Sequence, residues 1–374
     1  MREPLYPAAR SVAPRLAAHF LETRGLSARD AASAGALTPD ADAIEALVDA
    51  AFWASLRREE GYAPEISLAF LPPERAVRPL RLAPPLPLGS HALSQLAPAV
   101  ERPGIHLGVW RSRRGAELEV WGTTRVVPPY CFVLEVVEPG LLVVKHRVSD
   151  DSAKFRNVAV FQGEDVKILS RPEQEPDCPA LLRPLLGAEV EEGAVESDLL
   201  LRLAISMRAH GRGGTLLVVP AGTEAWRESI VRPIGYAVDP AFTELTDLLA
   251  EGGEPDYAAV SRAVDAVAGL TAVDGATLIT DRYELLAFGV KIGRADGRLR
   301  VERVLVTEPV EAGAPLVLAP LQLGGTRHIS AAQFAQDQQD AAALVASQDG
   351  RFTAFAWSAR AGMVHARRVE TLLL

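Results

Sequence analysis

Apolar positions first recur at helical spacing over residues 9–23 (ARSVAPRLAAHFLET) and 41–58 (ADAIEALVDAAFWASLRR), which predicts two amphipathic helices. Between about 60 and 105 prolines recur (LPPERAVRPLRLAPPLPLG) and remove backbone donors, so this stretch is expected to be an ordered connector without long regular elements. From 105 to 169 the pattern changes to short β-rich runs, IHLGVW, ELEVWG, CFVLEVV, LLVVKHR and NVAVF, separated by turn-like segments. That spacing predicts an antiparallel meander.

The second half alternates helix and strand. Residues 196–210 (ESDLLLRLAISMRAH) have an apolar helical face stopped by Gly211, and TLLVVP from Thr215 reads as a buried strand. The helical run YAAVSRAVDAVAGL leads into Val273-Asp274-Gly275-Ala276, the strand TLIT, a two-residue turn at Asp281-Arg282 and the strand ELLAFGV. After a longer excursion with a turn at Asp296-Gly297 comes GGTRHISAAQF (324–334), then AALVAS and RFTAFAW joined across Gln348-Asp349-Gly350.

At 374 residues the chain exceeds the size at which one core usually stops growing, which predicts two domains. The stretch RPEQEPDCPALLRPLLGAEVEEGAVESD, with Glu189, Glu191, Glu192 and Glu196 crowded together, is the expected boundary. The predicted organisation is a smaller domain over 1–188, of helices and an antiparallel meander, a second over 195–360, and a tail at 361–374. The fold class is α+β or α/β, the second domain being a mixed sheet flanked by helices.

The net charge of −9 argues against a nucleic-acid partner. Cys131 and Cys178 are too few for a disulfide framework or a zinc site, which suits a reducing cytoplasm. No apolar run of membrane-spanning length and no leader-like segment occurs, so neither a membrane partner nor secretion is expected.

The chemistry concentrates in Gly324-Gly325-Thr326-Arg327-His328. Ser330 with Gln333 fits a capping box, which would begin the helix near Ala331 and leave Arg327 and His328 just before its N-terminus. Unpaired N–H groups and the positive dipole end favour an anion there, the glycines permit close approach, Thr326 adds a hydroxyl, and Arg327 can grip two phosphate oxygens. Phosphate is the expected ligand. The similar-looking His210-Gly211-Arg212-Gly213-Gly214 lacks a Gly-Lys-Ser/Thr ending and reads as a helix stop. Asp274-Gly275-Ala276 adds a carboxylate at a strand start, able to hold a divalent cation or an attacking hydroxyl.

Taken in order, Asp274-Gly275-Ala276 and Gly325-Thr326-Arg327-His328 resemble the DGA and GTRH motifs of the diadenylate cyclase (DAC) family. Gly213-Gly214-Thr215-Leu216 resembles that family's opening, and Ser347-Gln348-Asp349 stands in the place of its Ser-Glu-Glu turn; the likeness covers roughly 195–358. The first half more faintly resembles the sensor-type domain labelled DACNV that accompanies some DAC domains.

The resemblance implies condensation of two ATP molecules into cyclic di-AMP by two domains facing each other, hence a homodimer or higher homo-oligomer, with Mg2+ or Mn2+. It assigns catalysis to Asp274, Arg327 and His328, nucleotide binding to Gly275, Ala276, Gly325, Thr326, Arg327, His328 and Ser347, and the metal to Asp274 with Asp349. Val273 stands where the family commonly has a histidine, Ile329 replaces a second arginine, and Gln348 replaces a glutamate. These departures favour the alternative, a nucleotide-binding sensor of the same type without turnover.

Overall fold

The computed structural model describes residues 4–23, 38–58, 61–112, 115, 117–148, 155–170, 177–186, 196–250, 256–311 and 313–374. The chain divides into two compact units, Met1–Ser170 and Arg171–Leu374. The acidic run Glu189–Glu192 lies outside the described residues.

In the first unit, helices α1 (Pro7–Thr23), α2 (Ala41–Ser55) and α3 (Ser90–Leu96) accompany eight strands: β1 (Ile66–Phe70), β2 (Leu80–Pro87), β3 (His106–Arg111), β4 (Leu118–Thr124), β5 (Val133–Glu138), β6 (Leu141–Arg147), β7 (Phe155–Gln162) and β8 (Asp165–Ile168). The start of α2 is fixed by Asp40, whose Oδ1 accepts from the Ala43 amide at 2.9 Å. Strand order is β2-β4-β3-β1-β5-β6-β7-β8. From β5 to β8 this is the expected antiparallel meander.

The proline-rich connector is not what the sequence suggested. It contains β1, buried throughout and central in the sheet, where it runs parallel to β3. Its segment ISLAF carries no proline. Pro84, Pro85 and Pro87 lie in β2 on the sheet's edge, where a missing N–H is tolerated, and the connector's other prolines lie outside the strands. Alternate residues of β1 serve two faces: Ile66, Leu68 and Phe70 pack with the helices, whereas Ala69 joins a smaller cluster with Cys131 and Val133.

The second unit has helices α4 (Glu196–Ala209), α5 (Glu244–Ala250), α6 (Tyr257–Leu270) and α7 (Thr326–Asp337). Its strands are β9 (Gly214–Val219), β10 (Tyr236–Phe242), β11 (Ala276–Thr280), β12 (Leu285–Val290), β13 (Val304–Thr307), β14 (Leu316–Leu318), β15 (Ala342–Ala346), β16 (Phe352–Ser358) and β17 (Met363–Arg368). They form one mixed sheet ordered β10-β12-β11-β9-β15-β16-β17-β13-β14.

Residues alternate between two cores, Leu216 and Val218 of β9 facing Leu203 and Val264 of α4 and α6, Leu217 and Val219 facing Phe334 and Ala335 of α7. Strand β9 is therefore buried along its whole length, which explains its unbroken apolar run. Residues 361–374, expected as a tail, include β17, which lies between β16 and β13 in this sheet. Only Val364 and Ala366 mark its buried face before Arg367 and Arg368, too short a pattern to announce a strand.

Candidate functional site

Asp274 is delivered by the end of α6. Thr271 caps that helix, its amide and its Oγ1 both donating to the Ala268 carbonyl, and its side chain sits against Gly214, where a Cβ would lie 2.6 Å from Oγ1. Two turn hydrogen bonds, Ala272 to Gly269 and Val273 to Leu270, then carry the chain to Asp274. At Gly275 φ is +117°, and a Cβ there would lie 2.5 Å from the Gly289 carbonyl carbon. The backbones of β11 and β12 thus meet at a distance only glycine permits.

Because Ala276 pairs with Val290, the next residue, Lys291, reaches Asp274, and its Nζ lies 2.5 Å from Asp274 Oδ2. The pair is open to solvent, with 92% of the aspartate side chain and 56% of the lysine side chain accessible. The hydrogen bond and charge of Lys291, assisted by Arg327, hold the Asp274 carboxyl below its ordinary range.

The opening of α7 differs from the expected one. The helix begins at Thr326 with Gly325 as N-cap, rather than near Ala331, so Arg327 and His328 lie in its first turn. Ser330 and Gln333 do not form a capping box because Gln333 is employed elsewhere: it accepts from the Val301 amide, and its Nε2 donates to Leu299 O and Asp337 Oδ1. Asp337 in turn accepts from the Ala295 amide. These bonds pin the excursion between β12 and β13 against α7.

His328 is buried at 4% exposure, packed edge-on to Phe355 and seated on Gly324, where a Cβ would lie 2.5 Å from Nδ1. Burial holds its pKa below the ordinary histidine value, with Asp349 opposing that shift and Arg368, Arg351 and Arg327 adding to it. Arg327 extends from the same turn towards β9, and a Cβ on Gly213 would lie 3.0 Å from its Nη1. The Gly211–Gly213 segment, with Gly211 and Gly213 both at positive φ, is the expected helix stop and also makes room for this guanidinium.

The third contribution is the β15–β16 turn. Ser347 N donates to Arg351 O at 2.9 Å and Gly350 N to Ser347 O at 3.2 Å, while Gln348 Nε2 reaches Arg212 O at 3.4 Å. Asp349 is paired with Arg351, Oδ2 to Nε, at 3.3 Å.

Asp274, Gly275, Ala276, Gly325, Thr326, Arg327, His328, Ser347 and Asp349 all line one cavity of about 700 Å3, a size suited to a small ligand. Sequence reading missed Thr215, Lys291 and Arg351, which also line it. Arg351 stands two residues beyond Asp349 and was open to notice. Lys291 had no local signal, since only the β11–β12 register brings it to Asp274.

Asp274 and Asp349, expected to share a metal ion, are each held by a basic side chain, Lys291 and Arg351. Among the described residues no group of three or more His, Cys, Asp or Glu is arranged to hold a metal ion. Each of the two carboxylates thus already has a cationic partner.

Residues 33–125 match the family model "Probable sensor domain DACNV", within the first unit. That segment is thus similar to a probable sensor domain of this kind. No curated protein matches the chain. A solved structure described as the hypothetical membrane spanning protein from Bacillus cereus is 15% identical, with a TM-score of 0.25, covering 47% of this chain. The match spans 65% of that protein's length. No helix among the described residues is long and apolar enough to cross a membrane.

Proposed function

We propose that Arg171–Leu374 binds ATP or a related nucleoside triphosphate, as a nucleotide-binding unit of the DAC type attached to a sensor domain. The observation that carries this reading is the convergence of three separate segments, Asp274–Ala276, Gly325–His328 and Ser347–Asp349, on one cavity. The first-turn amides of α7, with Thr326, Arg327 and Arg351, supply donors and positive charge for phosphate oxygens. Apolar side chains of Val290, Ile292 and Leu323 supply a wall for a base.

A second reading goes further: two copies facing each other condense two ATP into cyclic di-AMP, the 3′-oxygen of one nucleotide attacking the α-phosphorus of the other as pyrophosphate leaves. It is favoured by the exposure of the Asp274 carboxylate, which a second nucleotide brought by a partner copy can reach. Here Asp274 would accept or orient the hydroxyl proton. The full chain incubated with ATP and either Mg2+ or Mn2+, with products resolved by mass, separates the two. Cyclic di-AMP formation that falls on dilution below the dimer dissociation constant supports the cyclase; bound, unchanged ATP supports the sensor. Absence of both binding and product overturns both readings.

A further inference from the structure

Lys291 stands where a metal ion would serve an aspartate beside a triphosphate. Its ammonium and the Asp274 carboxylate line the same cavity, 2.5 Å apart. A Mg2+ ion on that oxygen would sit at about 2.0–2.1 Å and surround itself with a near-octahedral oxygen shell. The ammonium competes with such an ion for that oxygen, and the other expected ligand, Asp349, is engaged by Arg351.

Three cationic side chains, Lys291, Arg327 and Arg351, line the cavity together with the first turn of α7. An ammonium carries three donors, so Lys291 can keep Asp274 and take an incoming phosphate oxygen as well.

We infer that Lys291 is a built-in cation of this site and that the protein takes its nucleotide as the free polyphosphate, without a divalent ion. The inference rests on the nucleotide reading above and adds a ligand form and a residue to it. Lys291 bridges Asp274 and the phosphate chain when the site is filled; the terminal oxygens fall to Arg327, Arg351 and the helix amides.

The test is calorimetric titration of ATP into the full chain in EDTA and in excess MgCl2. The dissociation constants should agree within about threefold, a difference well below one decade of affinity. Lys291→Met should weaken binding in EDTA by about 10- to 100-fold, and Lys291→Arg should restore most of it, as expected for loss and return of a charge-assisted contact. Because Lys291 is exposed, an unchanged circular-dichroism melt is expected for both variants. Binding by the wild type only in MgCl2, or an unaltered affinity in Lys291→Met, overturns this inference and leaves the nucleotide reading standing. No binding in either buffer overturns both.

Discussion

Gly275 and Gly289 face each other across the β11–β12 pair so closely that a Cβ on the first would lie 2.5 Å from the carbonyl carbon of the second. The contact is backbone on backbone, so no side-chain rotation can relieve it. It sets the position of Asp274 on one side and of Lys291 on the other.

Gly275→Ala should therefore destabilise the second unit by about 1–3 kcal/mol or more, since overpacking is joined by an unfavourable φ of +117°. Chemical denaturation with a probe in that unit measures the loss. A variant as stable as the wild type would show that the two strands separate freely.

Arg327→Ala removes the guanidinium that runs from α7 to the Gly213 corner. ATP affinity should fall by about one to two decades, the range for a charge-assisted hydrogen bond. Calorimetry checks this, and an unchanged affinity would remove Arg327 from the site.

Gly324→Val would expel the imidazole seated on it, as a Cβ there would lie 2.5 Å from His328 Nδ1. The first turn of α7 would have to shift, and ATP binding should weaken at least about tenfold. Amide signals of Thr326 and Arg327 should move in the same variant, and static signals would show that His328 does not position the turn.

The first unit should be acid-sensitive through His106. Burial lowers its pKa from 6.5 to about 4, with Lys145 adding to the effect and Glu135 opposing it. The folded state keeps this imidazole neutral while the unfolded chain binds a proton below pH 6.5. Stability therefore falls as pH drops from 6.5 to about 4, at up to about 1.4 kcal/mol per pH unit, and this group adds no further loss below that. Denaturation midpoints across pH 4–7 test it. His106→Gln should flatten the slope, and an equal slope in the variant would assign it to other groups.

Much of the second unit was legible because its central strands β9, β11 and β15 are buried on both faces and its long helices on one. Leu216–Val219 and Tyr257–Leu270 announce themselves by runs and by period. The start of α7 was not, since the Ser330 and Gln333 pattern also arises when Gln333 is recruited to hold Leu299 and Val301 from a distant loop. Strand β1 was masked by Pro64, Pro72 and Pro73, which lie just outside it. The motif residues of the cavity were visible one by one; their charge balance was not, because Lys291 meets Asp274 only through strand pairing.

Nucleotide binding by the second unit requires the phosphates to lie at the start of α7. A crystal structure of the full chain with a non-hydrolysable ATP analogue tests this most directly. The account predicts phosphate oxygens within hydrogen-bonding distance of the Thr326 and Arg327 amides and the Arg327 guanidinium, with Asp274 at the same cavity's edge. A nucleotide bound elsewhere on the chain, or a cavity left empty at saturating analogue, would contradict it.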